Sequence, residues 1–316
     1  MRRIQYHRYG GPDTMRLEGF VLSSPQEGQV AVSVAAAAVN PIDWKVRRGE
    51  LKMMTGRSFP RAMGSDFAGT VTATGPGVTG LNPGDQVYGI AALKPSGAFA
   101  EAAIVPASNL ALKPAGLSFE QAAALATPAA MAFAGLVDRA HLQSGQRVFV
   151  NGATGGVGEA VVQLAHALGA TVTGTSGPTS IHRARALGID RVYDYTAADP
   201  ADQAELQGAF DVVFDTNGFL PVKTAMRLLN KTGVYLDINA TPAKFAHAAF
   251  IHRHKIFFCK PDTKTLTAAA DRAAAGDIQM SIGETVPLEG AIDLIAGLEN
   301  GRKINGKGLI LAGPNN

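Results

Sequence analysis

Residues 151–158 read NGATGGVG, and their surroundings constrain the chain more than any other feature. The apolar segment RVFV (Arg147 to Val150) precedes them. Behind them Val157, Val161, Leu164 and Leu168 recur at helical spacing and lay one apolar stripe along a helix. Strand, glycine turn and helix in that order form the context a dinucleotide site requires. Gly155 and Gly158 hold the second and third glycine places of that fingerprint, and Ala153 holds the first. The second place has to be glycine-like so that the backbone can approach a pyrophosphate. The third allows close packing of helix on strand, and the helix amino terminus faces the phosphate charge. Ala153, Thr154, Gly155, Gly156 and Val157 are therefore the candidate phosphate-loop residues.

The same rhythm continues downstream. Short apolar segments TVTGT (Thr171 to Thr175), RVYDY (Arg191 to Tyr195), DVVFD (Asp211 to Asp215), GVYLDIN (Gly233 to Asn239) and KIFFC (Lys255 to Cys259) alternate with helical patterns. Such alternation predicts a parallel sheet covered by helices on both faces. Upstream of about residue 120 the texture differs. There GQVAVSVAAAAVNP, FAGTVTATG, NPGDQVYG and AFAEAAIVP alternate with glycine and proline punctuation, as in a compact, mostly β domain. A helix around Leu288 to Leu298 and a strand GLILAG resume that style at the carboxyl end. The nucleotide fold is thus expected to be inserted, as residues 121–261, into a domain made of 1–120 plus 262–316.

With 316 residues and 46% hydrophobic content, two domains are the default expectation. A net charge of +3, with no basic run and no interleaved aromatics, lacks the footprint of a nucleic-acid binder. The single cysteine, Cys259, rules out an internal disulfide and a four-cysteine zinc site. MRRIQYHRYG carries charge without an apolar run behind it and does not read as a secretory signal. The apolar stretch Val30 to Val39 falls short of the ~20 residues a membrane helix needs. A soluble, cytoplasmic protein without membrane or nucleic-acid partners is expected.

Cofactor type is read one strand beyond the glycines. Folds that prefer NAD place an acidic residue about 20 residues on, to bond the ribose hydroxyls. Here that strand ends Gly174-Thr175-Ser176-Gly177 with no carboxylate. An acid would repel a 2′-phosphate, whereas Ser176 can donate to one. Arg183 and His182 supply positive charge on the next segment, with a solvated helix face as the competing account. NADPH is favoured over NADH. Thr216 and Asn217 follow the fourth strand at its carboxyl end, where nucleotides sit in open α/β sheets.

VNGATGGVGEAVVQLAHALGA resembles the signature of zinc-independent quinone oxidoreductases, the zeta-crystallin-like branch of the medium-chain dehydrogenase/reductase superfamily. The likeness extends through VNPIDWKVRRG, FPRAMGSDFAGTV, GDQVYG, GAFAEAAIVP, RALGIDRVYDY and a closing GKG, nearly the whole chain. It implies a Rossmann-type doubly wound parallel sheet inserted into a GroES-like, mostly-β catalytic domain, with a cleft between them. It also implies a homodimer paired along the edges of the Rossmann sheets. Zinc-dependent relatives place a catalytic Cys where this chain has Asn40 and a His-Glu pair where it has Ser65-Asp66. An amide and a hydroxyl are poor replacements for zinc ligands, so no metal is expected. His252 and His254 in IHRHK read as solvated surface.

Without zinc, such enzymes resemble catalysts that send hydride from NADPH to an electron-poor small molecule: a quinone, an enone or an alkenal. Asn40 and Lys45 of VNPIDWK are the candidate groups for the oxygen where charge develops. Asp43 reads as a loop anchor. Tyr195 matches a family tyrosine that approaches the 2′-phosphate, and Phe258 and Cys259 are expected to end the sixth strand on the nicotinamide side. One departure is Met131-Ala132-Phe133, where the family carries a Thr-Ala-Tyr-like stretch. The alternatives are an enoyl-thioester reductase and a non-catalytic NADPH-binding scaffold.

Overall fold

The computed structural model describes residues 1–94, 97–239 and 241–313. In chain order, the elements begin with β1 (Arg2–Tyr6), β2 (Met15–Gly19), β3 (Gln29–Ala38), α1 (Pro41–Arg48), α2 (Lys52–Thr55) and β4 (Arg61–Ala62). They continue with β5 (Asp66–Thr74), β6 (Gln86–Ile90), β7 (Ala102–Pro106), β8 (Leu110–Leu112) and α3 (Phe119–Leu136). Next come β9 (Arg147–Asn151), α4 (Gly156–Ala167), β10 (Thr171–Ser176), α5 (Ile181–Ala186), β11 (Arg191–Asp194) and β12 (Phe210–Asp215). The chain closes with α6 (Val222–Leu228), β13 (Leu229–Asp237), α7 (Pro242–Phe250), β14 (His254–Ile256), α8 (Thr263–Ala274), β15 (Ile282–Pro287), α9 (Ala291–Glu299) and β16 (Lys307–Leu311).

Two compact units are built from these elements. The first comprises Met1–Thr127, Pro261–Ala274 and Met280–Asn316, and the second Pro128–Lys260 with Ala275–Gln279. The division falls inside α3, at Pro128, which lacks the amide that would continue the helical ladder.

The first unit is antiparallel in the main. Its larger sheet runs β15-β16-β3-β5-β6-β8. The amino-terminal half of β3 pairs with β7, and its last residues pair with β16. Small residues in β3, from Ala35 to Ala38, let these neighbours and β5 crowd around one long strand. Beneath the sheets lies a core that includes Ile4, Val32, Val34, Phe67, Phe99, Leu294 and Ile310.

The second unit is a six-stranded parallel sheet in the order β11-β10-β9-β12-β13-β14. That order reverses between β9 and β12, the switch point at which open α/β sheets take their ligands. Phe149, Phe210, Val213 and Tyr235 form part of the core on one face, with the Phe149 and Phe210 rings edge to face at 5.2 Å. The segments expected as strands between residues 147 and 239 all enter this sheet. The sixth is shorter than KIFFC suggested. β14 ends at Ile256 because β13 ends at Asp237, its register partner. Phe257 turns inward onto Phe214, 5.8 Å away, and Arg139 covers its other side at 4.5 Å. Among the described residues no helix is long and apolar enough to cross a membrane.

Candidate functional site

At the switch point of the second unit, Asn151 ties three strand ends together. Its Nδ2 donates to Asp215 Oδ1 at 2.9 Å and to Asn217 Oδ1 at 3.0 Å, and its Oδ1 accepts from Thr175 at 2.8 Å. Thr175 Oγ1 in turn accepts from the Gly152 amide at 3.0 Å. Thr216 donates its hydroxyl to the Asn151 carbonyl at 2.7 Å. Gly152 turns with φ 79°, and a Cβ there would press on Asn217 Nδ2 at 2.9 Å and Thr216 Oγ1 at 3.0 Å. The expected residues Thr216 and Asn217 thus stand against the glycine loop, with Asn217 exposed.

The loop's glycines differ in what they answer to. A Cβ on Gly158 would run into the Gly152 carbonyl oxygen and lie 2.9 Å from Ala153 backbone atoms, so the helix can approach only as glycine. Gly155 caps α4 with φ −75° and ψ 167°, a conformation open to any residue. A Cβ there would meet only the Gly152 carbonyl oxygen, at an ordinary 3.4 Å. Nothing within the fold requires glycine at 155. Gly156 and Val157 open α4, whose first-turn amides have no carbonyl partners inside the helix. Ala153 is fully buried against Gly174, and Thr154 is half-buried beside it.

At the end of β10 the arrangement departs from expectation. Ser176 is buried because β10 runs through it into pairing with Asp194, and its hydroxyl donates to the Gly177 carbonyl at 3.3 Å. Tyr195 is 55% exposed, and its hydroxyl oxygen stands 3.0 Å from where a Gly177 Cβ would be. Arg183 bonds inward, to the Thr154 carbonyl at 3.0 Å and to Glu159 at 2.6 Å. Phe258 lies beyond β14 rather than ending it, and is 56% exposed. Cys259 beside it is a half-buried thiol.

Sequence reasoning missed the acid hub under this loop. Asp215 also accepts from the Gly218 and Leu220 amides, both at 3.0 Å. Burial pushes its carboxyl above the ordinary range, against the bond from Asn151. Burial works in the same sense on the neighbouring Asp237, but His254, 3.5 Å away, and Lys244, 2.8 Å away, outweigh it and hold that carboxyl low. His254, expected on the surface, is buried. It stacks on Tyr235 at 4.5 Å and meets His247 at 3.1 Å, Nδ1 to Nδ1.

The first unit holds a second buried polar cluster. Asn40 caps α1 and gives its amide N–H to Asp43 Oδ2 at 2.7 Å. Lys307 of β16 donates to Asn40 Oδ1 at 2.6 Å and to the Val39 carbonyl at 2.9 Å. The Ser65 hydroxyl lies 3.3 Å from Asp43 Oδ1 and 3.4 Å from Asp66 Oδ1. Asp66 accepts the Thr127 amide at 3.0 Å and its hydroxyl at 2.5 Å, where Pro128 interrupts α3. Burial, reinforced by Asp66, pushes the Asp43 carboxyl up to about 7. Asp66 is raised by burial too, against the pull of Lys307 and Thr127. Asn40 is therefore an interior residue with its carbonyl engaged, rather than a surface donor. Lys45 is half-buried on α1 and makes no side-chain hydrogen bond or ion pair among the described residues. The signal for Lys307 was its place at the head of an apolar strand, within the closing GKG.

A glycine loop at the switch point of a doubly wound parallel sheet defines the class as an NAD(P)-binding α/β fold. Comparisons with known proteins agree. The alcohol dehydrogenase GroES-like domain family matches residues 26–115, and the zinc-binding dehydrogenase family matches residues 156–254. A 2-methylene-furan-3-one reductase of Solanum lycopersicum is 39% identical over 69% of this chain, which spans 57% of that protein's length. A chloroplastic quinone-oxidoreductase homolog of Spinacia oleracea is 32% identical over 82% of this chain and 80% of its own. Escherichia coli quinone oxidoreductase, solved in complex with NADPH, superposes with a TM-score of 0.85 at 25% identity, covering 98% of this chain and 100% of its own. The chain belongs to the medium-chain dehydrogenase/reductase superfamily, in its quinone oxidoreductase branch.

Proposed function

We propose that the protein is a metal-independent, NADPH-dependent reductase of quinones or α,β-unsaturated carbonyl compounds. Gly155 carries the reading: neither its backbone nor its neighbours demand glycine, and a side chain there would fill the space a pyrophosphate needs. The first-turn amides of α4 would hold the phosphates. Thr216 and Asn217 would meet the nicotinamide ribose, and Tyr195 and Arg183 the adenosine ribose. When bound, the reduced nicotinamide supplies a hydride. The residues present have to orient it, exclude water and steady the charge that appears on the acceptor oxygen. Lys45 is retained as the cation for that charge. Asn40 acts as an interior brace through Lys307.

Metal independence is argued from the donor set. Among the described residues no group of three or more His, Cys, Asp or Glu is placed to hold a metal ion. Where zinc relatives carry cysteine and histidine, this chain has Asn40 and Ser65, and the Lys307 ammonium brings positive charge to Asn40 directly. The acceptor class rests on two relatives, one named for a quinone and one for a methylene-furanone, itself an unsaturated ketone. The reading extends to a cytoplasmic homodimer joined along β14, the sheet edge.

The test is oxidation of NADPH and of NADH, followed by absorbance, with a quinone, an alkenal, an enone and an enoyl thioester offered separately. Turnover with NADPH and a quinone or unsaturated carbonyl, unchanged by a chelator, is expected. Turnover with the thioester alone would favour the enoyl-reductase alternative. Cofactor binding without turnover would favour a scaffold.

A further inference from the structure

Glu159 is an odd residue to find in the first turn of α4. Its side chain is 1% exposed, and it shares the head of the helix with the loop that the proposed function gives to a pyrophosphate. A carboxylate suits a helix amino terminus, but a second anion bound close by would be repelled by it. Arg183 supplies the compensation. Its Nη2 donates to Glu159 Oε2 at 2.6 Å and its Nη1 to the Thr154 carbonyl at 3.0 Å. Arg183 keeps 18% of its side chain exposed, and its buried Nε has no hydrogen-bond partner among the described residues. A guanidinium has five N–H donors in a rigid fork, so this one retains donors beyond the two bonds described.

What surrounds the fork gives it a purpose. The Thr154 hydroxyl lies 3.4 Å from Ser176 Oγ, at the end of β10. Tyr195 stands over Gly177, one residue on. No carboxylate ends that strand. An ion pair is a poor way to stabilise a half-buried position, because desolvation cancels most of the attraction. A guanidinium held rigid beside a ribose site, by contrast, has lost its rotamer freedom before any ligand arrives.

We infer that Glu159 is a specificity-determining positioning residue: it clamps Arg183 at the mouth of β10 so that the free edge of the guanidinium meets the 2′-phosphate of the adenosine ribose. This rests on the NADPH reading and adds to it the residue that places the cation. Arg183 takes the part first assigned to Ser176, whose hydroxyl is buried and turned to Gly177.

The sign of one substitution separates this from a purely structural pair. If Glu159 were only a repulsive charge, Glu159→Gln would tighten the binding of any phosphate. If it positions Arg183, the same change weakens binding of the 2′-phosphate relative to the 5′-phosphate. The experiment is calorimetric titration of the intact protein with adenosine 2′,5′-bisphosphate and with adenosine 5′-monophosphate. Wild type is expected to prefer the bisphosphate by on the order of tenfold or more, as a charge-assisted bidentate contact allows. Arg183→Ala should abolish that preference and Glu159→Gln should erode it, the preference being read as the ratio of the two affinities within each variant. A Glu159→Leu/Arg183→Leu double variant keeps the apolar packing without either charge and should behave like Arg183→Ala. Tighter bisphosphate binding by Glu159→Gln, or an intact preference in Arg183→Ala, overturns the inference and leaves the NADPH reading standing. A wild type that binds both probes equally removes the NADPH reading itself.

Discussion

The glycine loop of the second unit, with Gly155 exposed, and the buried acid cluster of the first are both closely bonded, yet they are held by different forces. The loop is one contiguous run, and its geometry is enforced by close approach of side chains at Gly152, of backbone at Gly158, and of Ala153 onto Gly174 of the next strand. The cluster gathers Asn40, Asp43, Ser65, Asp66, Thr127 and Lys307 from separate segments, and charge keeps it together. Burial outweighs the pull of the single ammonium, so Asp43 and Asp66 are both pushed toward their protonated forms. A steric site breaks when an atom is added. A charged one breaks when a charge is removed, and it responds to pH.

Removing the ammonium should have the largest effect. Lys307→Met strands two acids in the interior and is expected to cost about 3–5 kcal/mol, read from urea denaturation at neutral pH. An unchanged midpoint would mean that the cluster is not held by charge. Next comes Gly158→Val, whose side chain would collide with Gly152 and Ala153. A loss of about 3 kcal/mol is expected, as for overpacking of a tight interior.

The pH response sharpens the comparison. Asp43 in the folded chain titrates near 7, above its value of about 3.9 when unfolded. The folded state therefore holds the extra proton between those limits, and the contribution of Asp43 to stability is present at low pH and fades as pH rises toward 7. Asp43→Asn should accordingly show a larger deficit against wild type at pH 5 than at pH 8, in urea midpoints. A deficit equal at both pH values would remove Asp43 from the account. The smallest expected effect belongs to Thr127→Val, which deletes the hydroxyl bonded to Asp66 but keeps the backbone bond. It should cost about 1.5 kcal/mol.

The contrast also explains what was legible in the sequence. The parallel sheet was readable because each strand is a short apolar run with a helix behind it, and the loop because its chemistry is local. The last strand misled: Phe257 and Phe258 look like its continuation, yet one packs inward on Phe214 and the other is exposed. Ser176 misled for a related reason, since a strand end in sequence does not reveal which way a short hydroxyl turns. Asp43 was read correctly as an anchor for its loop, but its partners, Lys307 among them, lie far away along the chain. Glu159 carries no signal in the sequence because its meaning depends on Arg183 reaching back from α5. Local geometry can be read from a sequence, whereas compensation between distant charges cannot.

The central claim is that Gly155 is glycine for a dinucleotide and Gly158 is glycine for the fold. The most direct measurement is a thermal melt of wild type and Gly155→Val, each with and without NADPH. Equal melting temperatures without cofactor, and a rise with NADPH in wild type alone, are the predicted result. A Gly155→Val protein that NADPH stabilises as strongly as wild type would contradict it.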